Sequence, residues 1–340
     1  MMPELSSFEQ QGEEIRSLLA QLRNGNLVHA CLITGEKGVG KRTLARLIAS
    51  ALLCRSEGPR PCGVCNDCLM AGKEEHPDLI VIRKGQPIAA DVKKDRATIP
   101  ADDIREMIRR CSTHTFEGRA RVVLLFDADK MTPQAQNCLL KTLEEPPENT
   151  YMILVTEHPD ILLSTVISRT RPVHLHAWPD PVIRRILDEN SIDSARADAS
   201  VEEARGSIGK ALELASDEEY WQMRNEILRD FFGTLKRSDI LRISNSWKDR
   251  RSDADKLLEI LESLIRIMME ENFRSGRSGR LASFSAPWQN FARNADVRRF
   301  TGLMDAVGDV RRQMQSNVNF QAVLEHLLFI LMGEGNQWSV

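Results

Sequence analysis

The chain has 340 residues, of which 42% are hydrophobic, and its 46 basic and 49 acidic side chains give a net charge of −3. This length predicts two or three domains, and the balanced charge excludes a protein that recruits nucleic acid through its overall field. No long run of apolar residues is present and the first residues do not resemble a signal peptide, so we expect a soluble, cytoplasmic protein without a membrane partner.

The first predicted elements are an amphipathic helix over 8–23 and an apolar strand that leads into a glycine-rich loop. The pattern G-x-x-x-x-G-K of phosphate-binding loops fits at Gly35, Gly40 and Lys41, with Gly38 between them. In such a loop the backbone N–H groups and the N-terminus of the next helix face an anion, and Lys41 would reach the outer phosphates. A glycine turn that binds no ligand is the alternative.

The last position of the loop pattern departs from the rule. A Ser or Thr hydroxyl that holds magnesium is expected there, and the sequence has Arg42. Thr43 follows one residue later, about 100° further round the helix predicted over 43–53, and is a poor substitute. We therefore expect a loop that binds ATP weakly or not at all.

Four of the seven cysteines lie within one short segment, 54–68, as Cys54, Cys62, Cys65 and Cys68. Thiolates at this spacing can surround one tetrahedral zinc ion, and the intervening prolines and glycines permit the turns between ligands. An iron–sulfur cluster is the rival, but here the fourth cysteine lies upstream of the C-x2-C-x2-C run. We favour a structural Zn2+ whose ligands lie outside the core and whose knuckle needs the metal to fold.

A continuous apolar run over 121–126 is typical of a strand buried in a parallel sheet, and it ends in Asp127, Ala128 and Asp129. In phosphate-loop ATPases the Asp at this strand end reaches magnesium, and a neighbouring Glu orients the attacking water. Ala128 stands in that neighbour's place, and a methyl group cannot act as a general base. Asp129 is the carboxylate that could replace it.

Strands and helices alternate through the first half of the chain, which predicts an α/β fold with a parallel sheet and helices on both faces. Besides the elements around the loop, we predict strands over 76–82, 121–126, 151–156 and 172–175 and helices over 99–108 and 134–145.

Further residues resemble a known family. The run LLKTLEEPP at 139–147, the pair Ser168-Arg169 and the four-cysteine knuckle are similar to bacterial DNA polymerase III clamp-loader subunits, which belong to the AAA+ superfamily. The likeness is dense over 28–175 and thinner beyond. It implies an AAA+ α/β domain over 1–177, which includes the zinc module at 54–68. A helical lid over 178–215 and an all-helical collar over 216–340 follow.

The resemblance also implies a role. In this family the gamma/tau subunits hydrolyse ATP, whereas the delta' subunits are stationary partners with eroded catalytic motifs. Active relatives carry a sensor arginine where Gly209 stands, so Arg42, Ala128 and Gly209 together favour the delta' type without intrinsic ATPase activity. The degenerate nucleotide site is then formed by Gly35, Gly38, Gly40, Lys41, Thr43 and Asp127.

The implied partners are the gamma/tau and delta subunits and, through the complex, the sliding clamp and primed DNA. Two alternatives stay open: an active gamma/tau-type ATPase, and a zinc-dependent nucleic-acid-binding module on a vestigial ATPase fold.

Arg169 is the residue to which the resemblance gives a catalytic role in trans. In the family this arginine crosses to the ATP of a neighbouring subunit, where a guanidinium can stabilise charge on the γ-phosphate. A surface arginine in a turn is the alternative. We expect Arg169 to be accessible at the rim of the α/β domain, without a strong partner in its own chain.

The last part of the chain is helical in pattern, with an apolar stripe over 254–269 that is typical of core or partner contact. Over 273–300 the aromatic residues Phe284, Trp288 and Phe291 are interleaved with Arg274, Arg277, Arg280, Arg293, Arg298 and Arg299. Such a stretch suits single-stranded nucleic acid. It equally fits a loop whose aromatic side chains anchor it on the collar, which we favour.

Overall fold

The computed structural model describes residues 5–89, 97–113, 115, 119–233, 236–273, 281, 283–314 and 318–335. The strands are β1 (Ala30–Gly35), β2 (Leu79–Ile82), β3 (Arg121–Leu125), β4 (Thr150–Val155) and β5 (Arg171–Leu175). The helices are α1 (Glu13–Arg23), α2 (Lys41–Leu53), α3 (Asn66–Gly72), α4 (Ala101–Cys111), α5 (Pro133–Glu144), α6 (Ser164–Ile167), α7 (Asp180–Glu189), α8 (Ser194–Ala204), α9 (Ile208–Ser216), α10 (Glu218–Asp230), α11 (Arg237–Trp247), α12 (Ala254–Phe273), α13 (Ala286–Asn294), α14 (Val297–Met314) and α15 (Phe320–Gly335).

The chain divides into two compact units. The first comprises Met1–Ile183 and Arg205–Lys210, and the second comprises Arg184–Ala204 and Ala211–Val340. The division into three domains, with boundaries after residues 177 and 215, stays a prediction.

The first unit is built on a five-stranded sheet in the order β2-β3-β4-β1-β5, with all neighbouring strands parallel. Strands β1 and β3 are buried along their whole length, as expected for continuous apolar runs covered on both faces. Because β4 lies between β1 and β3, the carboxyl ends of these three strands adjoin. The predicted α/β class is confirmed, and this edge of the sheet carries the loop motifs.

Local chemistry sets the element boundaries. Helix α5 begins after Thr132, whose hydroxyl accepts the backbone N–H of Ala135 at 3.2 Å, and Pro133 occupies its first turn, as predicted. Strand β2 is shorter than predicted because His76 turns the chain: its Nδ1 accepts the N–H of Asp78 at 3.1 Å. The short helix α3, inside the cysteine segment, was not predicted.

The helices of the second unit enclose a separate aromatic and aliphatic core. Its fully buried side chains include Phe231, Phe232, Trp247 and Phe300. The predicted stripe of α12 is buried in this core, through Leu257, Leu258, Leu261, Leu264, Ile265 and Met268. Within the described part of the chain, no helix has the length and apolar character needed to cross a membrane.

Candidate functional site

The glycine-rich loop lies between β1 and α2, where the sequence predicts it. Gly35 ends β1, and Gly40 adopts a left-handed conformation (φ 97°) immediately before the first turn of α2. Gly38 also has a positive φ of 79°, and a Cβ atom there would lie 2.1 Å from the hydroxyl of Ser207. The positive φ would strain a residue other than glycine at position 38, and the hydroxyl of Ser207 would have to rotate away from an added Cβ atom.

Lys41 is folded back onto its own loop. Its ammonium donates to the carbonyl oxygens of Gly35 at 2.9 Å and Glu36 at 2.6 Å, and it forms an ion pair with Glu157 at 3.3 Å. The side chain is 6% exposed, and this burial lowers its pKa despite the favourable charge of Glu157. In this arrangement the ammonium of Lys41 satisfies two carbonyl oxygens of the loop.

Arg42 connects the loop to the strand-end carboxylate. Its Nη2 donates to Oδ1 of Asp127 at 2.7 Å, across 85 positions of sequence. Asp127 follows β3 in a left-handed conformation, with φ of 54°. The two positions that hold magnesium in an active site are thus occupied by an arginine and by the aspartate that it binds. Thr43 lies half-buried in the same helical turn.

An arginine cluster that the sequence did not predict surrounds this pair. The guanidinium groups of Arg42, Arg46 and Arg83 lie 5.5, 5.6 and 5.1 Å from the ring centroid of Phe126, which is fully buried. Glu74 accepts hydrogen bonds from both Arg46 and Arg83. The edge of the sheet next to the loop is therefore occupied by fixed cations.

Asp129, the carboxylate that could replace the missing catalytic glutamate next to Ala128, is buried and paired in the structure. Ala128 is fully buried, and the side chain of Asp129 is 6% exposed. Asp129 accepts the hydroxyl of Thr156 at 2.8 Å and pairs with the ammonium of Lys130 at 2.9 Å. Although burial opposes its ionisation, these two partners hold the pKa of Asp129 below its usual value. Asp129 is thus a structural anion that binds Thr156, the residue that follows β4.

The segment that carries Gly209 packs directly on the glycine loop. The N–H of Gly209 donates to the carbonyl oxygen of Gly38 at 2.9 Å. A Cβ atom on Gly209 would lie 3.1 Å from Cα and 3.2 Å from the oxygen of Gly38. The absence of a side chain at position 209 therefore permits this backbone contact.

We expect Gly209→Ala to lower the stability of the protein by about 1–3 kcal/mol, because the added methyl group meets backbone atoms that cannot rotate away. Gly302→Ala is the matched control: Gly302 also lies in a helix, and a Cβ atom added there would have no neighbouring atom within 4 Å. That change should stabilise the protein by about 0.5–1 kcal/mol. Chemical denaturation of both variants measures the difference, and equal effects would contradict the packing argument.

Arg169 lies just after α6 with its side chain 34% exposed. The expectation that it lacks an internal partner is wrong. Its Nε donates to Oε1 of Glu144 at 2.7 Å, its Nη2 also contacts that oxygen, and its Nη1 donates to the carbonyl of Thr165 at 3.0 Å. The arginine is accessible but is held in place by the end of α5 and by α6.

The four cysteines meet as predicted. Their Sγ atoms all lie within 4.8 Å of one another, and the Cys54–Cys65 and Cys62–Cys68 distances are both 3.9 Å. Four sulfurs at about 2.3 Å from a tetrahedral metal would be about 3.8 Å apart, and a disulfide would need about 2 Å. The cluster therefore fits a metal ion. The N–H groups of Val64 and Cys65 lower the pKa of Cys62 to about 6, whereas burial raises the pKa of Cys68.

The expectation that all four ligands lie outside the core is wrong. Cys54 and Cys68 are buried, and the thiol of Cys68 contacts the carbonyl of Ser50 in α2 at 3.8 Å. Beside Cys68, the buried carboxylate of Asp67 contacts Nε2 of the buried His76 at 3.4 Å and Nε of Arg55 at 3.0 Å. These contacts join the cysteine module to α2 and to the start of β2.

The stretch over 273–300 belongs to the second unit. Arg274, Arg277 and Arg280 lie outside the described residues. Phe284, Trp288 and Phe291 are at most 6% exposed and are part of the helical core, in edge-to-face contacts with one another and with neighbouring phenylalanines. Rings packed in this way are not available to stack on nucleic-acid bases. The predicted aromatic anchors are confirmed, but the expected loop is wrong for most of the described residues, which form helix α13 and the start of α14.

The family described as DNA polymerase III, delta subunit, matches residues 10–179. The chain is 27% identical to the DNA polymerase III subunit delta' of Bacillus subtilis over 95% of this chain and 96% of that protein. It is 30% identical to the subunit delta' of Yersinia pestis over 74% of this chain and 72% of that protein. The subunit tau of Escherichia coli is 34% identical over 59% of this chain and 31% of that protein.

Proposed function

The chain belongs to the DNA polymerase III delta' subunit family, whose members act in clamp loading, and from this premise we propose that it does not hydrolyse ATP itself. In the proposal it is the stationary subunit of the complex. It assembles with gamma/tau and delta subunits, through which it contributes to loading the sliding clamp on primed DNA, and it supplies Arg169 to the ATP of a neighbour.

The observation that carries the proposal is the ion pair between Arg42 and Asp127. In active phosphate-loop enzymes a hydroxyl and a strand-end carboxylate bind Mg2+, which neutralises the β- and γ-phosphates. Here a guanidinium stands at the position of the hydroxyl and neutralises the carboxylate, at 2.7 Å. A divalent cation would have to displace a covalently attached cation, so the chain is not equipped to bind Mg2+ with the nucleotide.

The remaining losses point the same way. Ala128 offers no base to activate water. Of the two carboxylates next to it in sequence, Asp127 is paired with Arg42, and Asp129 is engaged by Thr156 and Lys130. Gly209 supplies no sensor cation. The loss of all three functions is coherent with a subunit that keeps the fold but not the reaction.

For the cysteine module we propose a structural zinc ion held by Cys54, Cys62, Cys65 and Cys68. An all-sulfur, four-ligand set leaves no open position for a substrate, which supports a structural and not a catalytic metal. The metal would substitute for a hydrophobic core that this short segment lacks.

We expect the isolated chain to hydrolyse ATP at the background rate, because it lacks a metal site and a base. The assay compares wild type with Lys41→Ala and Asp129→Ala in the presence of Mg2+. A contaminating ATPase would be unaffected by either change. Turnover above background that both substitutions abolish would contradict the proposal and support a gamma/tau-type enzyme. Co-purification of the chain with gamma/tau and delta subunits tests the assembly role separately.

A further inference from the structure

The contact between Glu144 and Arg169 links the last residue of α5 to the turn that follows α6. Nε and Nη2 of the guanidinium both contact one oxygen, Oε1 of Glu144, and Nη1 donates to the carbonyl oxygen of Thr165. The hydroxyl of Ser168 lies 3.4 Å from Nη1. Among the described residues, the second N–H of Nη2 has no acceptor. Four of the five N–H groups of the guanidinium therefore have an acceptor nearby, and one N–H of Nη2 remains as a donor.

The two elements that hold Arg169 form one rigid platform. Gln136 in α5 is 2% exposed, and its side-chain oxygen accepts the N–H of Leu163, just before α6, at 2.7 Å. Val166 in α6 is fully buried and packs in the same core cluster as Leu139 and Leu143 of α5. Because α5 and α6 are fixed to each other, the backbone that carries Glu144 and the carbonyl of Thr165 have a fixed separation, and the side chain of Glu144 starts from a fixed point.

We propose that Glu144 is a positioning residue, which holds the guanidinium of Arg169 in the orientation that presents its free donor to the ATP of a neighbouring subunit. This inference rests on the proposed trans role of Arg169. An arginine has many rotamers, and a donor that must meet a phosphoryl oxygen gains from an orientation fixed in advance. Both partners are partly exposed, at 34% and 49%, so the pair contributes little to folding stability and its effect falls on the reaction.

The alternative is that Glu144 inhibits Arg169, because a carboxylate beside the arginine also repels the phosphate groups of ATP. The geometry favours positioning. The carboxylate of Glu144 contacts Nε and Nη2, the neutral carbonyl of Thr165 accepts from Nη1, and one N–H of Nη2 keeps no acceptor among the described residues. If Glu144 inhibited Arg169, we would expect its carboxylate to occupy the remaining N–H of Nη2 as well.

The test measures ATP hydrolysis by the assembled clamp-loader complex that contains Glu144→Ala, Glu144→Gln, Arg169→Ala or Glu144→Ala/Arg169→Ala. The control is Glu145→Gln, the adjacent exposed glutamate. We expect Glu144→Ala to lower kcat about three- to tenfold with KM for ATP nearly unchanged. Glu144→Gln should fall between, since its amide oxygen still accepts from Nε. Glu145→Gln should match wild type, and Glu144→Ala should have no further effect once Arg169 is removed.

The outcomes separate the two proposals. If Arg169→Ala lowers the rate and Glu144→Ala does not, positioning is wrong and the trans arginine stands. A rate increase with Glu144→Ala would show that Glu144 inhibits Arg169, and the positioning role would then be wrong. A further loss from Glu144→Ala in the Arg169→Ala background would show that Glu144 acts elsewhere. If Arg169→Ala itself has no effect, the trans role fails, and the inference fails with it.

Discussion

Arg169→Ala is expected to lower ATP hydrolysis and clamp loading by the assembled complex about tenfold or more, while the isolated variant folds like wild type. The transferring phosphoryl group carries charge on three oxygens, and a guanidinium supplied in trans stabilises that charge at the transition state. A tenfold loss corresponds to about 1.4 kcal/mol of transition-state stabilisation. The folded chain loses only a partly exposed ion pair with Glu144, typically worth about 0–1 kcal/mol.

Two comparisons make the result specific. Arg169→Lys should restore little activity, because an ammonium lacks the planar pair of donors and cannot keep the contacts to Glu144 and Thr165 together. Arg23→Ala is a matched control, since Arg23 is also exposed and paired with one glutamate, Glu9, at 2.5 Å. The complex with Arg23→Ala should load clamps at the wild-type rate. Normal hydrolysis and loading with Arg169→Ala would leave the chain with a scaffolding role only.

The sequence was sufficient to predict the sheet and the loop because both are encoded locally. Apolar runs such as 121–126 are too short for helices and too continuous for exposed strands. The order of the strands then brings Gly35, Asp127 and Thr156 to one edge, since β4 lies between β1 and β3. The cysteine spacing likewise predicted which four thiols meet, because four thiolates close in sequence can reach one metal ion.

Contacts between distant segments could not be read in this way. The Arg42–Asp127 pair spans 85 positions and depends on the register of the sheet, and the Gly38–Gly209 contact depends on how the segment before α9 packs. The resemblance implied a role for Arg169 but did not identify its partner. Glu144 lies in a motif that is equally typical of an exposed helix end, so the sequence did not predict the contact. Helix α3 was missed because its ligand pattern was interpreted as a loop.

Metal analysis of the purified protein is expected to give one zinc ion per chain, and chelation should unfold the cysteine module. Metal ligation in small zinc modules contributes on the order of 10 kcal/mol to folding, far more than the few apolar side chains of this segment can. Because Cys54 and Cys68 are buried, the loss should extend to the end of α2 and, through Asp67 and His76, to the start of β2. Iron, or visible absorbance from a cluster, would contradict the assignment.

Cys65→Ser isolates the metal's contribution, because Cys65 is only half-buried and its loss removes a ligand without opening a core cavity. We expect this variant to lose the zinc ion and to exchange backbone amide hydrogens rapidly over 54–72. Protection should also fall at the end of α2 and the start of β2, while β1, β3 and β4 stay protected. Cys138→Ser is the matched control, since Cys138 is also half-buried but lies in α5, outside the cluster. It should retain one zinc and wild-type protection. Protection unchanged over 54–72 after zinc loss would show that the packing of Asp67, His76 and Ser50 alone holds the module, and that the metal is dispensable for its fold.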